Sequence, residues 1–156
     1  MLVLFAAYKA VILSITWDEA AIYLQHIQYG IWKPESAGLL DANKNILNSL
    51  CMLISSKLLG AEPWMLRLHS LASHALFLWC SAKICVRLKN PTLIVCGFLI
   101  IQCNPYMMDF FSLARGYAMG LAFEMASILM LMNFIPKQLR FTNEFFGITE
   151  STAVFF

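Results

Sequence analysis

Gly116-Tyr117-Ala118-Met119-Gly120-Leu121-Ala122-Phe123-Glu124-Met125-Ala126-Ser127-Ile128-Leu129-Met130-Leu131-Met132-Asn133-Phe134-Ile135 carries a single charge, Glu124. A helix needs about 20 mainly apolar residues to cross a bilayer. This stretch therefore reads as a membrane span, with Pro136 expected to stop it. Glu124 falls mid-span, where a charge costs at least ~2.5 kcal/mol on insertion scales. It is expected to face the bundle, toward Lys9 or toward a helix beyond this chain.

Working outward, the rest of the chain has the same character. Hydrophobic residues make up 60% of the 156 and charged residues 13%. A soluble domain has about 45–50% apolar and about 25% charged residues. The pattern predicts an all-α polytopic membrane bundle. Three more runs read as spans: Met1–Thr16, which is short and contains Lys9; Trp64–Val86; and Pro91 to about Met108, which Asn104-Pro105 disturbs. Asn90-Pro91 is a good helix start, an N-cap followed by proline in the first turn. No basic n-region or small-residue cleavage site precedes Trp17, so the first run is read as retained.

Net charge is +2, and no basic cluster points to nucleic acid. The three His and five Cys show no C-x-x-C or H-x-x-x-H spacing, which argues against zinc. Cys80, Cys85, Cys96 and Cys103 lie in apolar runs and read as small helix fillers. His69 and His74 are five apart, poor metal geometry on a helix. They read as polar helix–helix contacts.

Basic residues set orientation. Lys83, Arg87 and Lys89 lie between the second and third runs, and Lys137 and Arg140 follow the fourth. With alternating spans, both groups fall on the cytoplasmic side. The loop Trp17–Pro63 and the turn Asp109–Arg115 then face out. Topology alone brings Asp18, Glu19, Asn43, Asn45, Arg67, Asp109 and Arg115 to that outer face.

The outer loop has helical spacing. Ala20, Leu24, Ile27 and Ile31 recur on one side, predicting a helix near Asp18–Ile31. Leu47, Leu50, Ile54 and Leu58 predict another near Asn45–Leu59, with Gly60 closing it. Two such helices most simply lie in the interface plane, either roofing a cavity or only capping the bundle.

Several of these residues suit chemistry. Asp18 and Glu19 point about 100° apart on a helix, so they are not a face-to-face glycosidase pair. One acts as a base while the other binds a ligand or metal, or both merely offset a helix dipole. Arg67 and Arg115 either clamp a phosphate or snorkel to headgroups.

The order of four segments carries more. They are Trp17-Asp18-Glu19-Ala20, Ala42-Asn43-Lys44-Asn45-Ile46-Leu47-Asn48-Ser49-Leu50, Leu59-Gly60-Ala61-Glu62-Pro63-Trp64-Met65-Leu66-Arg67-Leu68-His69-Ser70-Leu71 and Leu113-Ala114-Arg115-Gly116-Tyr117-Ala118. Together they resemble the N-terminal part of polytopic GT-C glycosyltransferases. These include protein O-mannosyltransferases, the aminoarabinose transferase of lipid A and bacterial dolichyl-phosphate-mannose mannosyltransferase-like relatives. The resemblance covers roughly residues 1–135. It implies sugar transfer from a polyprenyl-phosphate donor to a protein, lipid or glycan acceptor at the extracytoplasmic face of a bacterial inner membrane. It implies Asp18 as base, with Glu19 shaping the site or holding a divalent metal, the one cofactor left open. Arg67 and Arg115 are implied in donor-phosphate or structural roles. Asn43, Asn45 and Tyr117 are implied as further binding residues.

Two motifs depart from the family. Relatives often read Asn-Asn-His-x-Leu where Asn43-Lys44-Asn45-Ile46-Leu47 stands, so a possible ligand-binding histidine is absent. They often read Arg-Leu-Pro-Ser where Arg67-Leu68-His69-Ser70 stands. The family also has many more spans, so residues 1–136 are expected to be the N-terminal transmembrane part of a longer enzyme, inactive alone. Residues 137–156 would be a cytoplasmic tail or the start of further spans. The rival readings are a transport or channel subunit built around Glu124 and Lys9, and a non-catalytic assembly partner. Polar groups gather at the outer face rather than mid-span, which favours the transferase over a transporter.

Overall fold

A computed structural model describes residues 1–24 and 46–145. Among these residues the chain is all helix, in the order α1 (Leu2–Ile12), α2 (Trp17–Ile22), α3 (Ile46–Leu58), α4 (Pro63–Leu66), α5 (Leu68–Cys85), α6 (Pro91–Gln102), α7 (Pro105–Ser112) and α8 (Gly116–Phe145). The expected segments 25–45 and 146–156, including Ile27, Ile31, Asn43 and Asn45, lie outside the described residues.

α5 is the central element. It runs along α8 and also packs on α6, α7 and α1. Its meeting with α7 and α8 forms the larger core, where Phe77, Phe111, Ala118 and Ala122 are buried. Met52, Leu66 and Ala114 form a second core beneath α3, flanked by Ile22 and Tyr23.

Local signals explain several boundaries. The Asn90 side chain accepts from the Thr92 amide at 2.9 Å and opens α6. The Asn104 side chain does the same for Tyr106 at 3.0 Å and opens α7. The expected disturbance at Asn104-Pro105 is a bend of 57° between α6 and α7. Gly60 follows α3 with φ +113, a backbone conformation that needs glycine.

Other expectations are corrected. The first run is helical only over 11 residues, roughly 16 Å at 1.5 Å per residue, about half a hydrocarbon layer. The second expected span is broken at Arg67 (φ −93, ψ −2) between α4 and α5. Glu124 is exposed on α8 rather than turned into the bundle, and Lys9 pairs instead with Asp109. Pro136 does not stop α8, which continues to Phe145. Proline lacks the N–H that would bond the carbonyl four residues back, which here is Met132. Arg87 supplies the substitute, donating from Nη1 to the Met132 carbonyl at 2.9 Å and from Nη2 to Asn133.

Among the described residues, α8 is the helix long and apolar enough to cross a membrane, over Gly116–Ile135. The bent pair of α6 and α7 meets the same measure when taken as one broken span. Only 22% of the apolar window of α8 is buried inside the fold. A soluble core helix would be mostly covered. α3 follows the same logic in reverse: its apolar stripe, Leu47, Leu50, Ile54 and Leu58, is exposed, while Asn48, Ser49 and Met52 face inward.

Candidate functional site

Helix α1 ends at Ile12 without glycine or proline, and the chain turns through residues 13–16 into α2. The cause is Arg67, fully buried at the α4–α5 junction. Its Nη1 donates to the carbonyls of Ala10 (2.8 Å) and Leu13 (2.7 Å), and its Nη2 to that of Ser14 (2.9 Å). These carbonyls would otherwise end a helix without partners. The remaining donors go to Glu19: Nε to Oε1 at 2.8 Å and Nη2 to Oε2 at 2.6 Å. A guanidinium has five N–H groups, and all are engaged.

Glu19 is equally saturated. Oε1 also accepts from the Ala114 amide at 2.6 Å. Oε2 also accepts from the Thr16 amide at 2.9 Å and the Thr16 hydroxyl at 3.0 Å. The bond from the Thr16 amide is the Glu half of a capping box. Burial disfavours the charged carboxylate. The hydrogen bonds from Arg67, Ala114 and Thr16, with the Arg67 charge, outweigh that and hold its pKa below the ordinary value of 4.5.

Asp18, one residue earlier, is in a different setting. It lies exposed on the outer side of α2 and pairs with Arg115 at 2.9 Å, with side chains 55% and 31% exposed. Arg115 is placed by the turn before α8. There the Ala114 amide is held by Glu19 and its carbonyl accepts from Asn48 Nδ2 at 3.1 Å. Asn48 Oδ1 in turn meets His69 Nε2 at 2.7 Å. Among the described residues Arg115 Nε is buried without a partner.

Beside Arg115, an open groove of about 340 Å³ runs between the start of α3 and the first turns of α8. Ile46, Leu47, Met119 and Phe123 line it, with Gly116 and Gly120 along α8. Tyr117 is half exposed and packs its ring against Phe110 at 5.1 Å.

The expected outer cluster thus separates into three pairs: Glu19 with Arg67, Asp18 with Arg115, and Lys9 with Asp109. Arg67 has no donor left for a phosphate, and Glu19 has no lone pair left for a metal. Among the described residues no three His, Cys, Asp or Glu side chains gather as a metal site. The His69–Asn48 contact joins α5 to α3, as a polar helix contact should. His74 instead stacks on Phe111 at 4.5 Å. Sequence reasoning missed Thr16 and Asn48 as positioning residues. The Thr16-x-x-Glu19 spacing of a capping box was the available signal for the first. Nothing local marks Asn48, whose partners lie far along the chain.

Comparison with protein families, with curated proteins and with solved structures returns no match for the chain.

Proposed function

We propose that the chain is the N-terminal part of a multi-pass membrane glycosyltransferase of the GT-C kind, using a polyprenyl-phosphate sugar at the extracytoplasmic face. The observation that carries the reading is the Asp18–Arg115 pair, accessible beside a saturated Glu19–Arg67 pair and an apolar groove. An acid and a cation at one accessible point match the two demands of sugar transfer. The Arg115 guanidinium is part-exposed beside Asp18, and the groove suits an isoprenoid chain.

In this reading the Asp18 carboxylate takes the proton from the acceptor hydroxyl. The acceptor oxygen bonds to the anomeric carbon with inversion as the bond from that carbon to the phosphate oxygen breaks. The bonding pair leaves with the polyprenyl phosphate, whose growing negative charge meets Arg115. Glu19 and Arg67 touch no substrate. They fix α2 and the Ala114 turn, and so set the spacing of Asp18 and Arg115.

Binding of a fluorescent polyprenyl phosphate to the chain in phospholipid vesicles tests this. Arg115→Lys keeps the charge and loses the planar fork, so affinity falls about tenfold. Asp18→Asn frees Arg115 and leaves affinity equal or higher. Equal affinity in wild type and Arg115→Lys would sink the phosphate role and return Arg115 to headgroup snorkelling.

A further inference from the structure

Glu124 belongs to none of the arrangements above. It lies in the middle of the crossing stretch of α8, exposed on a stripe with Ser127 and Leu131, one and two turns below the groove beside α3. The Ser127 hydroxyl is already turned back to the Phe123 carbonyl at 2.8 Å. The ion pairs among the described residues do not include Glu124. One turn earlier, Gly120 has open space where a Cβ would stand, at the edge of the groove beside α3. A carboxylate facing hydrocarbon at this depth is costly and is met by a partner of opposite charge or strong hydrogen-bonding power.

We propose that this stripe of α8 is the docking face for a transmembrane helix of a partner chain that carries a basic side chain at mid-membrane depth. The inference rests on the membrane reading of α8 and not on sugar transfer. Charge complementarity selects the occupant. A second copy of this chain fits poorly, because a symmetric contact through this face sets Glu124 against Glu124. Six of the described cations of such a copy are also engaged or lie at or beyond a helix end. Lys9, Arg67 and Arg115 are paired to acids, Arg87 is held at Met132 and Asn133, and Lys83 and Lys89 lie at or beyond the end of α5.

The test uses the full chain, fluorescently labelled, in phospholipid vesicles. The probe is a synthetic polyleucine transmembrane helix with one central lysine, compared with the same helix bearing central leucine. Energy transfer is expected to show about tenfold stronger association with the lysine helix. Glu124→Leu and Glu124→Gln are each expected to abolish the difference. Equal association with both probes, or a preference that survives Glu124→Leu, overturns the proposal. Transfer between two labelled copies that Glu124→Leu removes would make the occupant a second copy and also overturn it. An alkaline carbonate wash separates the two readings. Loss of the chain from the vesicles defeats the membrane reading and the docking face together, whereas retention without lysine preference defeats the docking face alone.

Discussion

Asp18 and Glu19 are adjacent carboxylates on one short helix, each paired with an arginine, yet the two pairs do different work. Glu19–Arg67 is sealed, with side chains 2% and 1% exposed, and every donor and acceptor is taken. Asp18–Arg115 is open to solvent, and among the described residues the buried Arg115 Nε has no partner. Breaking a buried pair costs about 3–5 kcal/mol because it strands a charge. An exposed pair contributes about 0–1 kcal/mol. One residue of register therefore separates a buried, fully bonded ion pair from an exposed one.

The comparison breaks most visibly at Arg67. Arg67→Met leaves Glu19 buried and unpaired and strands three carbonyls, and is expected to cost about 3–5 kcal/mol. Thermal melting of the detergent-solubilised protein reads this. A loss under about 1 kcal/mol would place Arg67 in the same class as an exposed ion-pair residue.

Next in size is Asp18→Asn. On the proposed function, sugar transfer by a full-length enzyme carrying this change is expected to fall about 10²-fold, while the melting midpoint barely moves. Turnover near that of wild type would reduce Asp18 to a helix-start residue.

Asn48→Ala removes the donor to the Ala114 carbonyl and the partner of His69, at an expected cost of about 1–3 kcal/mol. Because Ala114 precedes Arg115, polyprenyl-phosphate binding should weaken with it. Weaker folding with unchanged binding would show that the Ala114 turn does not position Arg115.

The smallest effect is on pH. The folded pKa of Glu19 is held below 4.5, so its contribution is fully present above the ordinary glutamate value. It is lost as pH falls through the lower, folded value. The melting midpoint should drop as pH decreases below 4.5, and the dependence should flatten in Glu19→Gln. A pH slope identical in the variant would assign the titration to another group.

What the sequence disclosed was mostly local. Asn90-Pro91, Asn104-Pro105 and Gly60 mark boundaries because each acts within its own turn. The apolar run Gly116–Ile135 is legible because crossing a membrane depends on length and composition. The end of α1 is not legible, because it is imposed by Arg67, which lies 53 to 57 residues later than the carbonyls it binds. The passage of α8 through Pro136 is hidden for the same reason, since Arg87 lies 45 residues before Met132. The candidate site was half legible. The acids and arginines were legible as candidates, but which of them pair depends on the Ala114 turn, whose backbone the sequence does not announce.

The sealed pair also has a consequence for the order in which the protein is made. Glu19 and Arg67 are both present once α5 has been synthesised, 48 residues of chain apart. The Ala114 amide that completes Glu19 is 95 residues away from it and arrives only after α7. Closing the longer loop adds little entropy, but contacts between distant residues slow assembly. Until the turn before α8 has been made, the Glu19 carboxylate is one donor short. The turn that leads into α8 thus also completes the hydrogen bonding that holds the passage from α1 to α2.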